Sequence, residues 1–524
     1  MRNVIHVGID GGSFRVLDAL TATGLMPEFG RLRAEAGRAD LRSTIPWFTV
    51  PGWVTWMTGV RAERHGLISW TATPPRDVLN GQERRRIVTA EDIRYPTVFR
   101  ILGDAGVKVV SINMPVTFPP ARIDGVMVAG FPAPADPARA FHPPTLFQRY
   151  PSYRVDTDES TAAVLDHGSG SVGRGDRQIE AHANSLASMA RTRHQLFMDH
   201  VGNDIGLMSV VYVGLDRLSH VAWPQIEAVL GGQPATPGER AISNYLRTLD
   251  RLIGEARRAA GDGLFLVTSD HGLGSPPRRE IAPNSWLRQH GWLSLRAQGA
   301  RRVMHLVTSP RLRRWVWRRW RRARGVPADR SPHVAWAETL AFAIPVPHCR
   351  AFGVVVQGGR EVLEEIATGL TGLRDAGSGG APVDRVIFCD DVCGEDARAW
   401  YPDLFVLLTS DYGVTDKVDG PVFRPAPDGP SGYHEPEGIL LATGPGVRPG
   451  WHEEVSIADI APTLLSSLGY KPPEHMDGTA IPWISPTEPF RTVERSIEPA
   501  TSSALTQDEE RAIDEHLRAL GYID

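Results

Sequence analysis

LFLVTSD, residues 264–270, decides the fold: a near-continuous apolar run, rich in Leu and Val, that stops at a serine and an aspartate. VIHVGID (4–10), VKVVSIN (107–113), MSVVYVGLD (208–216), LFVLLTS (404–410) and GILLATG (438–444) have the same form. Runs this short and this apolar suit strands buried on both faces, as in a parallel sheet. Between 208–216 and 264–270 lies a helical pattern, with Ile242, Tyr245, Leu246, Leu249, Leu252 and Ile253 on one stripe. Alternating strands and helices predict an α/β fold, a doubly wound, mostly parallel sheet covered by helices on both faces. Functional groups in such sheets gather at the carboxyl ends of strands. Three of the runs end in aspartate, at Asp10, Asp216 and Asp270. Any one of these alone reads as a helix N-cap following a strand.

The bulk composition, 42% hydrophobic and 23% charged over 524 residues, is that of an ordinary soluble globular protein. A net charge of −4 argues against a chain built mainly to coat nucleic acid. Lys108, Lys417 and Lys471 are the only lysines, and the arginine bias runs through the whole chain as codon composition would. Three cysteines, Cys349, Cys389 and Cys393, do not make a disulfide framework. Cys389 and Cys393 lack the second pair that a zinc site would need. The N-terminus enters a strand directly, without the apolar stretch and cleavage site of a secretory signal. No window approaches 18 uninterrupted apolar residues. The expected location is the cytoplasm.

The expected catalytic domain comprises residues 1–275 and 336–490, with 276–335 as an inserted cap element. Residues 491–524 form a tail that ends in an amphipathic helix from 506 onward. A second excursion, polar and rich in Pro and Arg, spans 71–94. The insert carries SPRLRRWVWRRWRRARGVP at 309–327, with Trp315, Trp317 and Trp320 among the arginines and no acid. It reads in two ways. One is an amphipathic helix in weak contact with an anionic membrane. The other is a solvated cap helix whose tryptophans pack on the core and whose arginine stems cover apolar surface.

Residues with metal-ligand or nucleophile chemistry recur at strand ends and loop starts. Asp10 closes the first run in GIDGG, where glycines let the backbone approach a bound group. Thr49 lies in STIPWFTVPGWVTWMTG, which turns helical after its prolines. A hydroxyl at a helix N-terminus sits at the positive end of the dipole, a phosphate-binding position. Asp216 and His220 share LDRLSH, a spacing that puts both side chains on one face of a helical turn. Asp270 and His271 are adjacent in SDHG, and His434 precedes the run at 438–444. Carboxylates and imidazoles without thiolates suit zinc, manganese or iron. Three of each plus a hydroxyl exceed one tetrahedral ion and divide between two. Two ions about 4 Å apart can hold the attacking and leaving oxygens of an in-line phosphoryl displacement.

With these residues in view, the sequence resembles the type I phosphodiesterase and nucleotide pyrophosphatase branch of the alkaline-phosphatase superfamily. It is most similar to the bacterial group described as predicted phosphohydrolases or phosphomutases. The blocks that carry the resemblance are GIDGG, TVPGW…MTG…HG over 49–66, INMPVTFPP over 112–120, LDRLSH, SDHG and GYHEPEGILLATGPG. DIAPTLLSSLG (459–469), MDG (476–478) and the terminal LRALGYI complete them. The resemblance implies an alkaline-phosphatase-like fold and two divalent ions, Zn2+ or Mn2+. It implies one ion on Asp216, His220 and His434, and the other on Asp10, Asp270 and His271, with Thr49 beside it as ligand and nucleophile. A phosphothreonine intermediate and a small-molecule phosphoester substrate follow from the same likeness.

The sequence departs from that pattern after the His65–Gly66 pair, where well-studied nucleotide pyrophosphatases carry a phosphate-holding asparagine and this chain reads Leu67, Ile68, Ser69, Trp70. Asn113 is the candidate replacement for substrate binding, and His65 reads as a loop-fixing residue. Phosphodiesterase is the leading expectation. Phosphomonoesterase, phosphonate hydrolase and phosphomutase stand as alternatives, and a non-catalytic binding protein is disfavoured because all seven positions are filled. No CxPxR-type segment supports a sulfatase.

Overall fold

The computed structural model describes residues 3–157 apart from 73 and 80–85, 175–296 apart from 203, 334–486 apart from 395–397, 428 and 430, and 490–491 and 505–522. The Arg/Trp stretch 309–327 lies outside the described residues.

The chain order of strands is β1 (Val4–Ile9), β2 (Gly37–Arg42), β3 (Lys108–Met114), β4 (Gly125–Ala129), β5 (Phe141–His142), β6 (Ile205–Tyr212) and β7 (Leu264–Thr268). Then come β8 (Gly272–Gly274), β9 (Arg279–Ile281), β10 (Ala341–Pro345), β11 (Ala351–Val356), β12 (Val383–Phe388) and β13 (Leu404–Leu408). The last are β14 (Tyr412–Val414), β15 (Phe423–Pro425), β16 (Tyr433–Glu435), β17 (Glu437–Thr443), β18 (Gly450–Trp451) and β19 (Val455–Ser456).

The main sheet runs β18-β2-β17-β7-β1-β6-β3-β4-β5, with β19 also on β2. The central strands β7, β1, β6, β3 and β4 are parallel, whereas β17 and β5 run antiparallel to their neighbours. All residues of β1 and β7 are buried, as their unbroken apolar sequences predict. Helix Pro237–Ala260 starts with a reciprocal cap between Thr236 and Glu239 and buries the predicted stripe from Ile242 to Ile253. It packs against helix Asp176–Met198 and β1.

One run does not go where its sequence points. LFVLLTS at 404–410 is not part of the main sheet; it forms β13 in a separate antiparallel sheet, β10-β11-β13-β12. Leu404, Val406 and Leu408 face a second core with Ile366 and Leu370 of helix Gly359–Thr371 and Trp286 of helix Pro283–Gln289. Phe405 turns the other way, against Tyr401 and Cys389, while Leu407 reaches the main core. Burial on both faces by different cores reproduces the continuous apolar signature of a parallel strand. Helix Pro283–Gln289 is locked to β10 by Asn284, whose amide donates to the Ala343 carbonyl and accepts from the Ala343 N–H, each at 2.8 Å. Leu79, from the 71–94 excursion, packs into this second core. Among the described residues, no helix is long and apolar enough to cross a membrane.

Candidate metal centre

The middle of the main sheet positions three carboxylates. β1 lies between β7 and β6, all parallel, with Ile9 beside Tyr212 and Gly8 beside Thr268. Their carboxyl ends are therefore neighbours, and the chain leaves each with an aspartate: Asp10 after β1, Asp270 after β7, and Asp216 in the first turn of helix Gly214–Leu230 after β6. The histidines arrive by separate routes. His220 stands one helical turn beyond Asp216, with its Nε2 3.1 Å from Asp216 Oδ1. His271 follows Asp270 directly. His434 sits opposite Leu273 in the antiparallel pair β16–β8, which folds it over the sheet end.

The seven residues converge. His434 Nε2 lies 3.0 Å from His220 Nε2 and 3.3 Å from Asp216 Oδ1. The ligand atoms of Asp10, Asp270 and His271 all lie within 4.8 Å of one another, and so do those of Asp216, His271 and His434. Thr49 opens helix Thr49–Thr58, and its Oγ1 is 3.4 Å from His271 Nε2. Gly11, at φ +71°, donates its N–H to Asp270 Oδ1 at 3.2 Å, a conformation that favours glycine. Trp53, on the Thr49 helix, donates its Nε1–H to Asp10 Oδ2 at 3.2 Å.

Outer partners aim the imidazoles. His271 Nδ1 donates to the Gly272 carbonyl at 3.1 Å and His434 Nδ1 to the Trp47 carbonyl at 3.3 Å. His220 Nδ1 lies 3.4 Å from Ser431 Oγ. With Nδ1 engaged, each Nε2 turns to the centre, the arrangement that fixes the tautomer of a metal-binding histidine.

The electrostatics of the cluster fit a cation. Burial, then Asp270 and Asp216, pushes the Asp10 carboxyl well above its usual range, and burial followed by Asp216 does the same to Asp270. Burial also raises Asp216, but the imidazoles of His220 and His434 outweigh it and hold that carboxyl well below its usual value. Burial and the neighbouring His434 keep His271 low. Asp10 Oδ1 and Asp270 Oδ2 are buried with no hydrogen-bond partner. Buried polar atoms are seldom left so. The Nε2 atoms of His220 and His434 lie 3.0 Å apart, and that of His271 faces Asp270 Oδ2 at 3.2 Å, so atoms able to bind a metal crowd together. Divalent cations supply what this donor set lacks, and its oxygen and nitrogen chemistry suits zinc or manganese.

The remaining candidates lie around this centre. Asn113 is buried at φ +63° and donates its amide to the Val211 carbonyl at 2.9 Å. His65 lies beside Thr55 Oγ1 at 3.0 Å and accepts the Leu67 N–H at 3.1 Å, so it ties the loop after the Thr49 helix. Three neighbours were given no role in the sequence reading. The His348 ring lies 4.0 Å from that of His220, and Cys349 Sγ is 3.8 Å from His434 Nδ1. Tyr522, in the terminal LRALGYI block, hydrogen-bonds to Asp216. Beside Phe48 an apolar pocket opens between Leu67, Ile68, Ile344, Trp400 and Phe405.

The family described as type I phosphodiesterase/nucleotide pyrophosphatase matches residues 4–338. No curated protein matches the chain. Among solved structures, phosphonoacetate hydrolase from Sinorhizobium meliloti 1021 in complex with phosphonoacetate superposes with a TM-score of 0.50, at 15% identity, covering 89% of this chain and 96% of that one. Its complex with phosphonoformate gives 0.50 at 16% identity with the same coverage. Murine ectonucleotide pyrophosphatase/phosphodiesterase 5 gives 0.46 at 14% identity, covering 90% of this chain and 97% of that one. At such identities the likeness to the hydrolase bears on the fold alone, which is the α/β sheet with helices on both faces.

Proposed function

The chain belongs to the type I phosphodiesterase/nucleotide pyrophosphatase family, a metal-dependent phosphoester hydrolase, and on that premise we propose that it cleaves phosphodiesters through Thr49 and two divalent metal ions. The observation that carries the reading is the place of Thr49. Its hydroxyl sits at the start of a helix, buried, 3.4 Å from His271 Nε2, where two overlapping groups of ligand atoms meet. Asp216, His220 and His434 would hold one ion, and Asp10, Asp270 and His271 the other. Bound there, the ions supply Lewis-acid charge that makes the threonine alkoxide accessible and stabilises the leaving oxygen.

The protein's own groups do the rest. Thr49 Oγ1 attacks phosphorus, its new P–O bond forming as the bond to the leaving alcohol breaks. The N-terminus of helix Thr49–Thr58 presents its positive end to the phosphoryl oxygens. Water then attacks the phosphothreonine from the vacated side and restores the hydroxyl. Two in-line displacements retain configuration at phosphorus. The apolar pocket beside Phe48 gives the second substituent of a diester somewhere to lie, which a monoester would leave empty.

The test is hydrolysis of a chromogenic phosphodiester and its monoester by protein loaded with Zn2+ or Mn2+, beside Thr49→Ala. Faster diester cleavage that drops at least 1,000-fold in the variant is expected, on the order of what loss of a covalent nucleophile costs. Monoester preference would move the assignment to a phosphatase or mutase. Turnover unchanged in Thr49→Ala would defeat the nucleophile.

A further inference from the structure

The C-terminal tail reaches the metal centre. Helix Gln507–Leu520 begins with a reciprocal cap between Thr506 and Glu509 and buries Ile513, Leu517 and Leu520. An ion pair between Arg139 and Glu509 holds its first turn. Gly521, at φ +81°, ends the helix and turns the chain inward. Tyr522 then enters the site and is 2% exposed. Its ring packs edge-on against His220 at 5.0 Å and Phe48 at 5.7 Å. The Arg217 guanidinium lies over the rings of Phe131 and Tyr522, at 4.9 and 5.4 Å from their centroids. A tyrosine buried only for packing would leave its hydroxyl in want of a partner. Here the hydroxyl donates to Asp216 Oδ2.

That bond divides the work of one carboxylate. Asp216 Oδ1 faces His220 and His434 Nε2, at 3.1 and 3.3 Å, while Oδ2 faces the tail. Rotation about the carboxylate would cost the hydrogen bond to Tyr522, so the inward oxygen stays aimed at the two imidazoles. We propose that Tyr522 is a positioning residue for the Asp216–His220–His434 group, so that docking of the C-terminal helix and cation binding at that group are coupled. The inference rests on the reading of those three residues as a cation site. Outer partners of this kind typically change metal affinity by about 10- to 100-fold. Coupling is reciprocal, so a bound cation must hold the helix in place by the same factor.

Tyr522→Phe keeps the ring and its packing and removes only the hydroxyl. Titration of the full-length metal-free protein with Zn2+ against a chromogenic chelator reads both cation affinities. The variant is expected to bind one of two cations about 10- to 100-fold more weakly and the other as before. Titrated with Co2+, it should show a changed visible spectrum for the weakened site only. In the unmutated protein, Zn2+ should slow amide exchange over residues 513–520 by a similar factor; in Tyr522→Phe that slowing should shrink. Two affinities, spectra and exchange rates all equal to those of the unmutated protein would overturn the proposal and leave the metal reading intact. Cation uptake by Asp216→Ala equal to that of the unmutated protein would overturn both.

Discussion

Replacing Asp270 with asparagine should make the metal-free protein more stable while ending its response to cations at that group. Asp10 and Asp270 are 2% and 0% exposed, and each has one carboxylate oxygen held and one without a partner. With donor atoms within 4.8 Å, two negative charges repel by about 3–4 kcal/mol at an effective dielectric near 20. Both carboxyl groups are raised by burial and then by neighbouring carboxylates. The metal-free fold therefore holds protons that the unfolded chain has released, and stability falls as pH rises from the unfolded carboxyl value near 4 through the folded ones. Asparagine removes one charge, keeps an oxygen for the Gly11 N–H, and offers an N–H to His271 Nε2, now 3.2 Å from Asp270 Oδ2. Urea unfolding at pH 8 in chelator should show Asp270→Asn more stable by about 2–4 kcal/mol. Cation at 1,000 times Kd should add about 4 kcal/mol per occupied site to the unmutated protein, and the variant should lose one site's share. A metal-free variant less stable than its parent, with the full cation response kept, would refute the charge argument.

Two further outcomes follow from the packing around the site. Burial lowers the pKa of His6, His65 and His516 to about 3, so the fold keeps them neutral while the unfolded chain protonates them below its value near 6.5. Stability contributed above pH 6.5 should be lost as pH falls toward 3, by up to about 1.4 kcal/mol per pH unit for each histidine. His6→Gln should reduce the slope by about one such share in urea titrations between pH 6 and 5, and an unchanged slope would contradict its burial as a neutral ring. A methyl group added at Gly52 would lie 2.9 Å from Asp270 Cβ and 3.1 Å from its carbonyl oxygen. Gly52→Ala should therefore cost about 1–3 kcal/mol despite better helix propensity, and weaken cation binding in the same titration; wild-type affinity would show that Asp270 can move.

Much of the frame was legible because the central strands are buried on both faces. VIHVGID and LFLVTSD carry that burial as unbroken apolar runs, and the aspartate ending each stands in the candidate metal cluster, since the sheet stops where the cluster begins. The same signature misled at 404–410. β13 is also covered twice, by two different cores, and no local pattern says which sheet a strand joins. The candidate ligands were readable for a related reason: aspartate and histidine at the end of an apolar run lack a packing explanation. His348 and Tyr522 were not readable in this way. His348 sits between β10 and β11, far along the chain from His220, and nothing near it in sequence marks its neighbour. Tyr522 follows an ordinary amphipathic helix, and its role exists only once that helix docks.

The charge balance of the assembled site bears on the choice between diester and monoester. Asp10, Asp216 and Asp270 carry three negative charges when ionised, and the threonine alkoxide would add a fourth. Burial keeps His271 and His434 from offsetting them. Two divalent cations under the proposed reading bring four positive charges and cancel this set. Arg217 is buried nearby, within electrostatic reach of Tyr522, Asp156, Asp216 and Asp10, while Asp156 is matched by Arg193 at 3.3 Å. Under that reading, one positive charge is left over among these named groups. A phosphodiester brings one negative charge and closes the balance, whereas a phosphomonoester dianion would leave one in excess in a setting where unpaired charge is costly. The apolar pocket beside Phe48 and this single surplus charge therefore favour the same substrate class for different reasons, and the ratio of diester to monoester turnover reads them jointly.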